Sequence, residues 1–132
     1  MITLIAGRRA PARPRNLTKL VRDGRLKLPD SVGRELRKKD DPLKNWVTRH
    51  WADCVLTATD QNIGELARIS RDYSHYLGDD RGAADPVVIC MAIYLRSSDW
   101  IVLADDAGIQ AVCVLEGIQF VTSSAFCRIE GI

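Results

Sequence analysis

The sequence predicts a single α/β domain with a parallel sheet, and three observations support this fold class. The chain has 132 residues, which is the length of one ordinary domain. Its composition, with 46% hydrophobic and 27% charged residues, is typical of a globular protein and excludes a disordered or fibrous chain. From Ala84 onward, helical and strand patterns alternate along the chain, as they do in α/β folds with right-handed connections.

The amino-terminal half is predicted to hold an extended arm followed by helices. Residues 7–15 contain four arginines, two prolines and no acid, so we expect a solvated arm without regular structure. The residues that follow show apolar positions at helical spacing, separated by capping residues, prolines and glycines. The predicted helices are one between Asn16 and Gly24, one over Val32–Lys39 with Asp30 or Ser31 as N-cap, one over 42–54, and one from Asp60 to about Tyr73.

The carboxy-terminal half predicts a buried helix and two parallel strands. Val87–Leu95 is nearly all apolar and follows the capping pair Asp85-Pro86, which predicts a helix buried on most of its faces. Trp100–Ala104 is a short apolar run rich in β-branched residues, typical of an inner strand of a parallel sheet. Sites in such sheets form at the carboxyl ends of the strands, where Asp105 and Asp106 lie. The remaining predicted elements are a helix over Ile109–Leu115 ended by Gly117, a strand over Ile118–Val121, and a last helix capped by Ser123 or Ser124.

The charge of the chain is unevenly distributed. The formal net charge is only +2, but residues 1–50 carry a balance of +9 and residues 51–132 a balance of −7. A chain with this distribution can attract polyanions with one surface and concentrate carboxylates, and with them divalent metal ions, at another.

The cysteines and the hydropathy of the chain indicate the cellular compartment in which we expect the protein. The four cysteines lie far apart, without a Cys-x-x-Cys pair and without a secretory signal ahead of them. We therefore expect reduced, buried thiols in a cytoplasmic protein. The longest uncharged apolar run, residues 86–95, is half the length that a membrane span needs, so we expect no membrane partner.

Three acidic residues are candidates for chemistry because of where they lie. Asp85 begins the buried helix, Asp106 follows the inner strand, and Glu35 lies within a predicted helix. Carboxylates at the carboxyl edge of a sheet can hold Mg²⁺ or Mn²⁺, and the metal can deprotonate a water and neutralise charge on a phosphodiester. Taken singly, each residue is better explained as a helix cap, a turn residue or a surface helix residue, so the case for chemistry depends on the three together.

Four segments of the chain match one family pattern. Residues 84–92 (ADPVVICMA) are similar to an Asp-x-x-Ile-x-Ala helix, and residues 100–106 (WIVLADD) to a strand that ends in Thr-x-Asp. Residues 117–126 (GIQFVTSSAF) are similar to a closing strand and short helix, and residues 24–32 followed by Glu35 to a segment with a second acid. Together these segments, within residues 16–132, resemble the PIN-domain family of metal-dependent ribonucleases. Residues 38–46 resemble a bacterial PIN-like subfamily in particular.

The resemblance implies a single PIN-like domain over residues 1–132, with residues 1–15 as an Arg/Pro-rich arm. It implies a three-layer α/β/α fold, an endoribonuclease that uses Mg²⁺ or Mn²⁺, and often a toxin with an antitoxin partner or a homodimer. Carried over by position, Glu35, Asp85 and Asp106 are the catalytic acids and metal ligands, with Asp105 as an additional ligand. The candidate RNA-binding residues are Arg34, Arg37, Lys38 and Lys39, with Arg8, Arg9, Arg13 and Arg15 of the arm.

The sequence departs from the family pattern in two places. The family opens with a strand that ends in Asp, whereas residues 1–22 contain no acid, and residues 1–6 would correspond to the helix after that strand. We therefore expect a sheet that lacks its amino-terminal strand. The second departure is Ala104, which stands where the family prefers Thr. Three hypotheses follow: an active ribonuclease that begins upstream of Met1, a PIN-like binder of RNA or of a protein without turnover, and an oligomerising α/β module whose acids are only caps.

Overall fold

Five short strands form one parallel sheet. The computed structural model describes residues 3–6, 18, 20–22, 24–38, 40, 42–77, 84–96 and 100–130. The strands are β1 (Thr3–Ala6), β2 (Leu26–Pro29), β3 (Val55–Leu56), β4 (Trp100–Leu103) and β5 (Phe120–Val121). Their order is β3-β2-β1-β4-β5, and every neighbouring pair is parallel. The predicted α/β class with a parallel sheet is therefore confirmed.

The strand β1 occupies the middle of the sheet. Leu4 is paired with Leu26 of β2 on one side and with Ile101 of β4 on the other. The expectation that residues 1–6 correspond to a helix, in a sheet without its amino-terminal strand, is therefore wrong. Pairing with β2 and β4 satisfies the backbone N–H and C=O groups of this segment. This pairing is a long-range contact, so the local sequence does not reveal it. Residues 7–15, the predicted arm, lie outside the described residues.

Helices connect the strands and cover the sheet. Within the part of the chain that the structure describes, they are α1 (Asp30–Arg37), α2 (Pro42–Arg49), α3 (Trp51–Cys54), α4 (Leu66–Asp72), α5 (Ser74–Leu77), α6 (Ala84–Tyr94), α7 (Ala107–Glu116) and α8 (Ser123–Glu130). A further helical turn at Leu20–Arg22 ends at Gly24, which adopts a φ of +69° as predicted for a helix-terminating glycine.

The helix α6 forms the centre of the core. Every residue from Val87 to Ala92 is buried, so the predicted burial on most faces is confirmed. The helix packs on β1, β2 and β4 and also contacts α1, α4 and α7. Helix α6 leads into the start of β4 and therefore runs in the direction opposite to the strands. Its last turn thus lies at the amino edge of the sheet and its first turn at the carboxyl edge.

Several helix boundaries in the first half differ from the prediction. Helix α1 begins directly after β2, with Pro29 at the N-cap position, so Asp30 and Ser31 lie inside the helix instead of capping it. The helix predicted over 42–54 is interrupted at His50. Residues 60–65 form turns instead of the start of a helix, and the Asn62 side chain closes this loop through Thr59 N and Thr57 O.

The boundaries in the second half are closer to the prediction. The carboxylate of Asp106 caps α7, and Gly117 ends it with a φ of +69°, as expected. Helix α8 begins at Ser123, and its cap is the hydroxyl of Thr122, which accepts a hydrogen bond from Ala125 N at 3.2 Å. The predicted caps Ser123 and Ser124 therefore lie within the first turn.

Three of the four cysteines are free and buried, as predicted: Cys54, Cys90 and Cys113. Burial raises the pKa of the Cys54 and Cys90 thiols to about 11 and that of Cys113 to about 12, so these thiols are protonated and unreactive at neutral pH. No helix among the described residues is long and apolar enough to cross a membrane.

A charged cluster joins three helices at the amino edge. The guanidinium of Arg68 in α4 donates two hydrogen bonds to the Glu116 carboxylate, at 3.1 and 2.8 Å, and the Tyr73 hydroxyl donates a third at 2.5 Å. Arg96, just after α6, donates to the Glu116 backbone carbonyl at 2.7 Å. These donors lower the pKa of Glu116 to about 2, with Arg68 as the main cause.

Replacement of Gly108 by alanine is expected to destabilise the protein. A Cβ there would stand 2.1 Å from the backbone carbonyl oxygen of Tyr76, so α5 would have to move away from α7. We expect a loss of about 1–3 kcal/mol in the free energy of unfolding, measured by urea denaturation. Gly64→Ala is the matched control, because its Cβ would meet nothing closer than 3.5 Å. Equal unfolding midpoints for the two variants would contradict the prediction.

Glu116→Gln is expected to destabilise the protein at neutral pH but not in strong acid. The pKa of Glu116 falls from 4.5 to about 2 on folding, so its ionised form contributes stability above pH 4.5, and this contribution disappears as the pH falls toward 2. We expect a loss of about 1–2 kcal/mol at pH 7, because Arg68 remains 37% exposed and solvent weakens the pair. Unfolding measured from pH 7 to pH 2 tests this, with Asp72→Asn in an exposed pair as control. A difference between wild type and Glu116→Gln that stays constant over this range would contradict it.

Candidate functional site

The carboxyl edge of the sheet collects acidic residues from separate elements. Parallel strands bring their carboxyl ends to the same edge, and the chain changes direction there between β1 and β4. Asp30 follows β2, Asp105 and Asp106 follow β4, and Asp85 lies in the first turn of α6. The predicted position of Asp105 and Asp106 at the end of an inner strand is confirmed.

Asp85 is the most deeply buried of these carboxylates. Its residue is only 2% exposed, and it lies in the first turn of α6, where the positive end of the helix dipole favours a negative charge. Helix α6 already begins at Ala84, so Asp85 is inside the helix and is not the predicted N-cap. The surroundings of this carboxylate are fixed by the packing of α6 on the sheet.

Asp106 has a structural role in the described fold. Its Oδ1 accepts hydrogen bonds from Gly108 N at 2.9 Å and from Ile109 N at 3.1 Å. These bonds satisfy two backbone donors at the start of α7. The side chain is thereby held in one orientation at the carboxyl end of β4.

Asp105 links the exits of two strands. Its carboxylate accepts hydrogen bonds from the backbone N–H of Ser123 at 2.8 Å and from the Ser123 hydroxyl at 2.5 Å. Because Ser123 begins α8 directly after β5 and Thr122, these bonds connect the ends of β4 and β5. Asp105 is exposed, in contrast to Asp85.

Asp30 is an acid at this edge that the sequence analysis treated only as a helix cap. It is buried, and its two oxygens accept hydrogen bonds from Ser31 N at 2.9 Å and from Ala58 N at 3.1 Å. Asp30 therefore ties the start of α1 to the segment after β3. No local signal reveals this role, because Ala58 is 28 residues away.

Glu35 lies near the middle of α1 and forms an ion pair on that helix. Its Oε1 is 3.2 Å from the Nζ atom of Lys38, one turn further along. Among the described residues, no group of three or more His, Cys, Asp or Glu side chains is close enough to hold a metal ion. The structure thus does not bring Glu35 together with Asp85 and Asp106 in such a group.

The residues at the edge nevertheless have the donor chemistry that Mg²⁺ requires. This cation prefers oxygen ligands, retains several waters and is commonly bound by only one or two carboxylates together with substrate phosphates. Asp85 and Asp106 supply two carboxylates that rigid elements hold at one edge, at the starts of α6 and α7. A metal held with few protein ligands is compatible with this arrangement.

Three of the predicted RNA-binding residues line one cleft. Arg34, Arg37 and Lys38 line a cleft beside α1, and Lys44 and Thr48 of α2 complete it. Lys44 and Thr48 have no signal in the sequence that links them to this cleft, because the packing of α2 on α1 brings them there. Lys39 and the predicted arginines of the arm lie outside the described residues.

Comparison with known proteins gives the family of the chain. No curated protein matches the sequence, and no solved structure matches it. One family model, described as a domain of unknown function (DUF4411), matches residues 9–130. The match spans α1 to α8, with the acidic residues of the carboxyl edge and the residues that line the cleft, and the chain therefore belongs to the DUF4411 family.

Proposed function

We propose that this protein is a metal-dependent endoribonuclease of the PIN type. The observation that carries the proposal is the buried carboxylate of Asp85 at the carboxyl edge of a parallel sheet, with Asp105 and Asp106 at the exit of β4 on the same edge. Sites of open parallel sheets form at this edge, next to the point where the strand order reverses. The PIN resemblance of residues 84–92 and 100–106 supports the same assignment, with a three-layer α/β/α arrangement of the helices.

The proposed chemistry is hydrolysis of an RNA phosphodiester. A Mg²⁺ or Mn²⁺ ion bound here would supply an activated water and neutralise charge on the phosphate. Asp85 and Asp106 would hold the ion, and Asp105 would assist. The chain contributes positioning: α6 fixes Asp85 by burial, and the hydrogen bonds to Gly108 N and Ile109 N hold Asp106 in one orientation.

The proposal includes a role for this protein as the toxin of a toxin-antitoxin pair. A ribonuclease of this kind would arrest growth when expressed alone, and a partner antitoxin protein would neutralise it. Assembly as a homodimer is part of what the resemblance implies.

A PIN-like RNA-binding protein without turnover is the second candidate. It is favoured by the structural roles that the acids already have, since Asp106 caps α7, Asp105 binds Ser123 and Glu35 pairs with Lys38. It is also favoured by the sequence of residues 1–22, which contains no acid. The two candidates differ in whether metal produces cleavage.

Asp85→Asn is expected to abolish RNA cleavage while preserving the fold. Loss of a carboxylate that holds a metal removes several kcal/mol of transition-state stabilisation, so we expect the rate to fall at least about 100-fold. The measurement is cleavage of labelled RNA with Mn²⁺, with Mg²⁺ and with EDTA. Asp72→Asn on the exposed side of α4 is the control. Equal Mn²⁺-dependent cleavage rates for wild type and Asp85→Asn would contradict the catalytic role of Asp85. Binding of RNA without any cleavage would favour the second candidate.

Asp106→Asn separates the capping role from the catalytic one. Asparagine caps helices about as well as aspartate, so we expect the free energy of unfolding to change by less than about 0.5 kcal/mol. The lost negative charge weakens the hold on a divalent metal, so we expect cleavage to require more Mn²⁺ and to slow at least about tenfold. A variant that unfolds and cleaves like wild type would show that Asp106 is a cap alone.

A further inference from the structure

Among the described residues, several cations gather at an open cleft between α1 and α2. It has a volume of about 410 Å³ and is lined by Arg34, Arg37, Lys38, Lys44 and Thr48. Four of these five side chains are cations and none is an acid. We propose that this cleft binds the phosphate backbone of RNA, an inference that rests on the proposed function for the choice of ligand.

The guanidinium of Arg37 is held in place by an aromatic ring. Its Cζ atom lies 4.3 Å from the centroid of the Trp51 ring, a cation–π contact. Trp51 in turn packs over Gly33, where a Cβ would stand only 2.8 Å from Cζ3 of the ring. A guanidinium stacked on a ring keeps its in-plane N–H donors, which match two phosphate oxygens. The glycine and the tryptophan thus orient a phosphate-binding group without neutralising it.

Two of the cations of the cleft form ion pairs with acids of α1. The Nζ atom of Lys38 is 3.2 Å from Oε1 of Glu35, and Nη1 of Arg34 is 3.6 Å from Oδ2 of Asp30. Both cations remain largely exposed, at 72% and 59% of their side-chain surface, and exposed pairs of this kind are weak. Arg34 and Lys38 therefore remain accessible to a phosphate group.

The lining of the cleft favours a nucleic acid over an acidic protein. Protein interfaces have an apolar core surrounded by a polar rim, whereas the cleft is lined by four cations and one hydroxyl. A polyanion that carries its charge on an outer phosphate backbone needs no apolar contact to bind. Helix α1 also starts at the carboxyl edge and ends at the cleft, about 10 Å away at 1.5 Å per residue. A bound strand that runs along α1 would reach the acidic edge.

The test is the salt dependence of RNA binding without metal. Fluorescence anisotropy of a labelled 20-nucleotide single-stranded RNA is measured in EDTA for the wild type and for the double variant Lys38→Gln, Lys44→Gln. We expect the double variant to bind at least about tenfold more weakly and to lose about 1.4 from the slope of log K against log salt, or about 0.7 per phosphate contact. Arg71→Gln combined with Arg128→Gln removes two exposed cations from α4 and α8 and is the matched control. A control that weakens binding as much as the cleft variant would overturn the proposal.

Arg37→Lys tests the stacked guanidinium, because it preserves the charge but not the planar donor. We expect binding several-fold weaker than wild type with an unchanged salt slope, and wild-type affinity would contradict the role of Trp51 in positioning Arg37. A 20-residue polyglutamate peptide serves as competitor. We expect it to leave RNA bound at tenfold excess, and displacement at equal concentration would assign the cleft to an acidic protein.

Failure of this inference and failure of the proposed function have different signatures. Cleft-dependent binding in EDTA without Mn²⁺-dependent cleavage leaves the inference standing and removes the ribonuclease activity. Cleavage that is equal in wild type and in the double variant, with equal binding, removes the inference and leaves the ribonuclease activity.

Discussion

Burial of the apolar helix α6 against the middle of the sheet is the interaction on which the rest of the structure depends. Each residue from Val87 to Ala92 is buried, and the helix packs on β1, β2 and β4. Burial of one aliphatic side chain contributes about 1.5–3 kcal/mol, so a few of them equal the net stability of a typical domain, about 5–15 kcal/mol. Because the helix has no polar face over these turns, it must lie between the sheet and other helices. Its first turn, and with it Asp85, is thereby fixed at the carboxyl edge.

The two edges of the sheet use their charges differently. At the amino edge, Arg68 and Tyr73 donate hydrogen bonds to the Glu116 carboxylate and so link α4 to α7. These donors stabilise the ionised carboxylate and lower its pKa. At the carboxyl edge, Asp105 and Asp106 bind mainly backbone N–H groups. Backbone donors orient a carboxylate without cancelling its charge as a guanidinium does. The carboxylates of the two edges are therefore held in different ways: Glu116 by a guanidinium and a phenol, and Asp105 and Asp106 by backbone donors at the starts of α8 and α7.

The sequence predicted the elements with strong local signals and missed those that depend on tertiary contacts. Helix α6, strand β4 and helix α7 with its glycine stop were found because apolar runs, caps and glycines are local. Strand β4 was found because it is a continuous apolar run, whereas β2 is interrupted by Lys27 and ends in Pro29. Strand β3 has two residues and directly follows α3, and β1 becomes an inner strand only by pairing with β2 and β4. The same limit applies to the site. Asp106 was found at a strand end, whereas the role of Asp30 and the contribution of Lys44 depend on packing between segments that are distant in sequence or lie on separate helices.

The strand β1 completes the carboxyl edge at which the proposed metal site lies. If the sheet lacked its central strand, the edge beside β4 would be disrupted, and the remaining carboxylates would have no fixed geometry. With β1 paired on both sides, that edge is intact, and β4 places Asp105 and Asp106 beside the point where the strand order reverses. Under the proposed function, the departure of residues 1–22 from the family pattern, which is the absence of an acid, concerns a ligand and not the scaffold. If the proposed function holds, a metal at this edge would have few protein ligands and would depend more on phosphate oxygens of the substrate, so the proposed RNA binding in the cleft and metal binding at the edge would support each other.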